Sequence, residues 1–381
     1  MSNKLPRRNF LSRMTLAVSS AIAAPFINSL SANNVESGKE PQKMNPIKSI
    51  KPLGFMWDTL DPFLFCVHHE DAFPRGNDNM GPTTSMEGRH LGDDFIIKDG
   101  FRMYHGKVVP GFPGHPHRGF ETVTVVRKGL VDHADSLGAA GRYGNGDVQW
   151  MTAGKGVQHS EMFPLLSKEE ENPMELFQIW LNLPKKNKMV DPHFKMLWKE
   201  SIPNAQYTDN AGKRINIEVI AGKLNATTAV APPPDSWAAE ADNEVAIWNI
   251  KMEPGAEWTL PAASQGINRM LYFYEGTMLN LDDQNITKYS AVELTSEFEI
   301  KLKAGNDDVS VLILQGRPIG EHVMQYGPFV MNTKEEINQA FEDYHKTQFG
   351  GWPWPKYDQV HERSKGRFAK HADGTIESPK A

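Results

Sequence analysis

Two short ligand steps set far apart constrain this chain more than any other feature: His115-Pro116-His117 and His159-Ser160-Glu161. In a β-strand alternate side chains point to the same face, so each ligand-x-ligand step aims both of its side chains into one space. The two steps together offer three imidazoles and one carboxylate. The 41 residues between His117 and His159 are strand-rich and punctuated by glycine. That is the pattern of a chain that leaves a barrel wall and returns to face the first pair. Such a donor set suits a divalent transition metal with coordination positions left open. Fe(II) is the first assignment and Mn(II), or another divalent transition metal, the second. The absence of a cysteine ligand argues against a closed structural zinc site.

The surrounding residues carry a resemblance. HPHRGFETVT, then His133-Ala134-Asp135-Ser136, then GDVQWMTAGKG and HSE, resemble the pirin family of the cupin superfamily. The similarity continues through FQIWLNLP at 177–184 and GPFVMNTKEEINQA at 327–340, and covers roughly residues 49 to 350. The resemblance implies an all-β fold of two cupin (jelly-roll) barrels. It also implies Fe(II) in the first barrel at the positions of His115, His117, His159 and Glu161, and, for some members, quercetin 2,3-dioxygenase activity. Others act as non-enzymatic, redox-sensitive regulators. The carboxylate has a competitor, because in the ordinary cupin pattern a liganding glutamate follows HxH by four residues, where Glu121 stands. The resemblance favours Glu161 as the ligand and leaves Glu121 behind the ligands, holding an imidazole N–H and fixing its tautomer.

Taken in order, residues 1–32 read as an address. Pro6-Arg7-Arg8-Asn9-Phe10-Leu11 is similar to a twin-arginine export signal and precedes an uncharged run from Met14 to Ile27, too short and too rich in Ala and Ser to span a membrane. The twin-arginine route carries folded proteins, so metal would be loaded before export to the periplasm. No cysteine for a lipid anchor lies there, so no stable membrane anchor is expected after cleavage. Losing Lys4, Arg7, Arg8 and Arg13, and no acid, moves the net charge from −6 to −10. An acidic chain without a basic run is a poor nucleic-acid ligand. A monomer is expected.

Residues 33–48 read as a linker, 49–200 as the metal-binding barrel, 201–326 as a second barrel without metal, and 327–381 as a C-terminal helix and tail. No histidine occurs between Phe194 and Glu321, so a second copy of the site is not available. The stretch 68–94, rich in Gly, Asp, Asn and Pro, reads as a loop insertion with His68, His69, Glu70 and His90 solvated. His105 and His133 read as satisfied core residues, the lone Cys66 as a buried, inert thiol, and Lys185, Lys186 and Lys188 as a solvated turn. Thr333 to Thr347 has helical spacing and acids in its first turn. Trp352 and Trp354 are expected to dock, and about the last ten residues to be loose. The function expected is an exported iron dioxygenase acting on a flavonol-like or catechol-like phenol, with Glu161 as both ligand and base. The alternative is a non-catalytic metal or redox sensor that binds a protein partner.

Overall fold

A computed structural model of the chain describes residues 46–380. The leader and most of the linker lie outside the described residues. Strands dominate, and they build two jelly-roll barrels packed side by side.

The chain enters through β1 (Ile47–Pro52), which pairs antiparallel with Ser290–Thr295 of the second barrel. The domain boundary placed before residue 49 is therefore crossed, because the first strand of the folded chain completes the other barrel's sheet. The first barrel follows as β2 (Met56–Trp57), β3 (Phe63–Phe73), β4 (Gly111–His117), β5 (Phe120–Lys128), β6 (Leu130–Asp135), β7 (Ala140–Gly144), β8 (Val148–Thr152), β9 (Val157–Met162), β10 (Asn172–Asn182) and β11 (His193–Leu197). One sheet runs β11-β8-β5-β10-β3-β2; the other runs β4-β9-β6-β7 and is extended by Phe368–Lys370 and Ile376–Glu377. Of the last ten residues, expected to be loose, Ile376 and Glu377 pair with Phe368–Lys370, and the segment before them is tied down. Phe368–Lys370 pairs with β7, and the buried Arg142 guanidinium donates to the carbonyls of His361, Glu362 and Lys365.

The sheet containing β5, β8 and β10 is buried on both faces, which explains its nearly continuous apolar sequence. Val123, Val125, Val148, Trp150, Phe177, Ile179 and Leu181 pack outward against Ile220, Ile247, Tyr272, Leu312 and Leu314 of the second barrel. Cys66 lies in this interface with no exposure, and burial pushes its thiol pKa up, as expected of an inert cysteine. In the second barrel the same period-two alternation turns Trp248, Ile250, Leu271, Phe273, Val311 and Ile313 inward, where they close an apolar interior. Residues 290–304 form two of its strands, Ser290–Thr295 and Ile300–Ala304, separated by a turn.

Two further expectations fail for one physical reason, the burial of polar side chains with partners. β3 continues through His68, His69 and Glu70, and residues 67, 69, 71 and 73 alternate inward. The irregular segment begins after Phe73. His69 and Asp71 occupy inward positions of this strand, so its apolar periodicity is interrupted. Glu70 and His90 are exposed as expected, and so are Lys185 and Lys186. Lys188 is buried, and its ammonium donates to the Gly119 carbonyl at 2.8 Å, Asn182 Oδ1 at 2.6 Å and the Val330 carbonyl at 3.2 Å. It ties the turn after His117 to the C-terminal segment.

Helix α1 (Lys334–Thr347) is capped by Thr333, whose hydroxyl accepts from Glu336 N–H while Glu336 reaches back to the Thr333 N–H, a full capping box. Phe349, just beyond it, lies so close to Gly156 that a Cβ there would sit 2.7 Å from the ring. The glycine ahead of His159 is a packing requirement. Trp354 docks by donating to the Asp135 carbonyl at 2.7 Å, whereas Trp352 stacks on Tyr357.

Candidate metal centre

β9 lies between β4 and β6, and the register brings the ligand candidates together: His159 pairs with His115 on one side and with Asp135 on the other. Glu161 pairs with Phe112 and with His133. A bulge between Phe112 and His115 lets both side chains face inward despite their odd spacing. The imidazole centroids of His115, His117 and His159 are 4.5 to 4.9 Å apart, and one ligand atom from each lies within 4.8 Å of the others.

All three rings are buried, and desolvation lowers their pKa values, that of His115 to about 4. They are neutral near pH 7, with lone pairs available. His115 Nδ1 donates to the Pro113 carbonyl at 3.0 Å, which leaves Nε2 as the coordinating atom. Neither nitrogen of His159 has a hydrogen-bond partner, although both are buried. A buried polar atom without a partner is costly, and a cation at the centre of the triad would satisfy Nε2. The residues fit a metal on that ground.

Glu161 stands beside the triad, its Oε2 3.9 Å from His159 Nε2. Two residues of the facing sheet orient it: Gln178 Nε2 donates to Oε2 at 2.8 Å, and the Thr124 hydroxyl lies 3.0 Å from Oε1. That hydroxyl is closer to Gln178 Oε1, at 2.6 Å. The ionised carboxylate is the stronger acceptor, so the hydroxyl donates to Glu161 Oε1 and holds Gln178 Oε1 as its alternative acceptor. Burial raises the Glu161 pKa against the opposing influence of His133 and these hydrogen bonds.

Glu121 lies elsewhere. Gly119, at φ +85°, breaks the strand between His117 and β5, so the parity counted through the sequence does not carry across. Its carboxylate shares the outward face with Val123 and Val125, where it accepts from Thr152 at 2.7 Å and from Ser236 of the second half at 2.5 Å. Neither bond is to an imidazole. His133 is buried as expected of a core residue, but only half satisfied: its Nε2 lies 3.2 Å from Asp135 Oδ2, while its buried Nδ1 has no hydrogen-bond partner. His105 is satisfied as expected, its Nδ1 donating to the Gly92 carbonyl at 2.9 Å, but it is half-buried and its ring lines the cavity in front of the triad.

That cavity has a volume of about 1240 Å³ and is floored by His115, His117 and Glu161. Its walls include Phe112, Phe163 and Trp180 from the first barrel, and Met270 and Ala291 from the second. A flat aromatic molecule fits both its size and its lining. Gln178 and Thr124 were not singled out in the sequence. The available signal was a polar residue at 178 within the otherwise apolar run FQIWL.

Comparison with known proteins agrees with this architecture. Residues 76–181 match the pirin family model and residues 247–350 the pirin C-terminal cupin domain. A Pseudomonas aeruginosa protein named "Putative quercetin 2,3-dioxygenase" is 36% identical over 240 residues, 63% of this chain and 79% of that one. A pirin-like protein of Caulobacter vibrioides is 37% identical over 258 residues, 68% of this chain and 87% of that one. The crystal structure of a quercetin 2,3-dioxygenase from Acinetobacter baumannii superposes with a TM-score of 0.62 at 29% identity, covering 80% of this chain and 98% of that one. With both halves matched, the chain belongs to the pirin family.

Proposed function

We propose that this protein is an exported, Fe(II)-dependent dioxygenase acting on a flavonol-like or related phenolic substrate, with His115, His117, His159 and Glu161 holding the metal. One observation carries the reading: a buried carboxylate that accepts from Gln178 on one oxygen and from Thr124 on the other, beside three neutral imidazoles, two of which floor an aromatic cavity. Bound iron would supply Lewis acidity toward a phenolic oxygen and reactivity toward O₂. Glu161 accepts the substrate's hydroxyl proton on Oε1, and the Thr124 hydroxyl, which donates to the ionised carboxylate, then turns its proton to Gln178 Oε1 and accepts from the protonated one. Phe112, Phe163 and Trp180 hold the ring and exclude water. The names of relatives support this substrate class. The leader at Arg7-Arg8 supports export to the periplasm after folding, and the acidic balance supports a monomer with no nucleic-acid partner.

The test is O₂ uptake by anaerobically Fe(II)-loaded protein with a panel of flavonols and catechols. Consumption by the wild type, lost at least about 100-fold in a Glu161→Gln variant that still holds iron, is expected. Full turnover by that variant removes the base role. No consumption across the panel, from protein of confirmed iron content, favours the metal- or redox-sensing alternative. Replacing Arg7 and Arg8 with lysine should abolish periplasmic recovery, and unchanged recovery removes the export reading.

A further inference from the structure

A second polar device faces the same cavity, away from the triad. His69 is buried and lines the cavity, with Phe112 between it and His115: the His69 and Phe112 centroids are 5.9 Å apart, those of Phe112 and His115 6.3 Å. Behind His69 runs a chain of buried groups. Arg102 gives Asp71 three N–H bonds, from its backbone N at 2.8 Å, Nε at 3.0 Å and Nη2 at 3.1 Å. The Tyr104 hydroxyl lies 2.5 Å from Asp71 Oδ2, and His69 Nδ1 lies 2.9 Å from the Tyr104 oxygen.

The proton positions follow from this chain. Burial raises the Asp71 pKa, but the Arg102 guanidinium and its three N–H bonds oppose this and keep the carboxylate an acceptor, so Tyr104 donates to it. The Tyr104 oxygen then receives from His69, and the proton of that imidazole resides on Nδ1. Desolvation, with Arg102 nearby, lowers the His69 pKa well below its usual value, so the ring carries a single proton. Nε2 is left as a bare lone pair on the one polar atom that His69 can turn to the cavity.

We propose that His69 Nε2 is a substrate-binding acceptor, held in one tautomer by the Asp71–Tyr104 relay, that receives an aromatic hydroxyl at the end of the ligand remote from the triad. The inference rests on the phenolic reading of the site and narrows it. The preferred ligand is a polyphenol longer than one ring, with a hydroxyl for the triad at one end and a hydroxyl donor at the other. Phe112 supplies the apolar stretch between them. An ammonium or a second imidazolium at that end would serve as a donor only, and a His69 of fixed tautomer instead rewards ligands that donate.

Wild-type and His69→Phe proteins, loaded with Fe(II) and kept free of oxygen, are titrated with quercetin and with galangin, the flavonol that lacks the two outer-ring hydroxyls. The wild type is expected to bind quercetin about tenfold more tightly, the worth of one good hydrogen bond, and His69→Phe to bind the two alike with its iron content unchanged. Tyr104→Phe should erode the preference in the same direction. Independently of any ligand, ¹⁵N spectra of metal-free wild type should show the His69 proton on Nδ1. A preference retained by His69→Phe, or a proton found on Nε2, overturns the proposal while leaving the phenolic reading standing. If the wild type binds neither flavonol, the phenolic reading falls and takes this inference with it.

Discussion

The two barrels share an architecture and differ in what fills them. In the second, the inward positions of the central strands carry Trp248, Ile250, Leu271, Phe273, Val311 and Ile313, which meet in a closed apolar core. In the first, the corresponding kind of position carries His115, His117, His159, Glu161, Thr124 and Gln178, and the interior opens into a cavity. A jelly roll can be stabilised from inside by packing or can lend its interior to chemistry. Here one chain does both, and the packed barrel supports the open one through a large apolar interface. β1 and the C-terminal strands reinforce the arrangement, because each end of the described chain pairs with the barrel remote from it in sequence.

The contrast predicts opposite responses to equivalent damage. The largest effect is expected from His159→Ala, which removes the central ligand. Metal affinity should fall by more than the roughly 100-fold typical of losing a group that merely supports a ligand. Titration with Fe(II) under argon reads it, and retention of wild-type affinity would mean that the metal is held elsewhere. In the second barrel, Leu271→Ala should cost ~2–5 kcal/mol of stability by opening a cavity in a closed core. The metal content of the folded protein should not change. Denaturant unfolding beside metal analysis separates the two outcomes, and a loss of metal with Leu271→Ala would show that the barrels are not divided in this way.

The smallest effect concerns the interface. Burial lifts the Glu121 carboxyl from 4.5 to about 7 in the folded chain, against hydrogen bonds from Ser236 and Thr152. Between those two values the folded chain binds more proton than the unfolded chain, so stability is lost as the pH rises through that window. Glu121→Gln removes the loss. It should be more stable than wild type at pH 8 by ~2–3 kcal/mol and nearly equal at pH 4. An equal difference at both pH values would place the effect in packing rather than in charge.

The positions of the histidines were legible because period-two spacing and strand parity are local properties, and His115-x-His117 needs only one strand to aim both rings. The companion glutamate was not legible by counting alone. Glu121 has the right distance along the sequence, but the Gly119 turn reverses its face. The helix was readable to its cap, since Thr333 and Glu336 form a purely local box. What escaped was polar residues whose partners are distant in sequence: Lys188 on Gly119 and Val330, Arg142 on the tail, and Asp71 with Arg102. Each was read, where it was read at all, as solvent-facing or loop, because nothing local to a lysine or an aspartate says that a carbonyl or a guanidinium will meet it in the fold.

The division between a working barrel and a packed one is tested most directly by locating the metal. Crystals of the Fe(II)-loaded protein, measured at the iron absorption edge, should show one anomalous peak per chain, among His115, His117, His159 and Glu161, and none in the second barrel. A second peak inside the other barrel, or a single peak away from the triad, would contradict it.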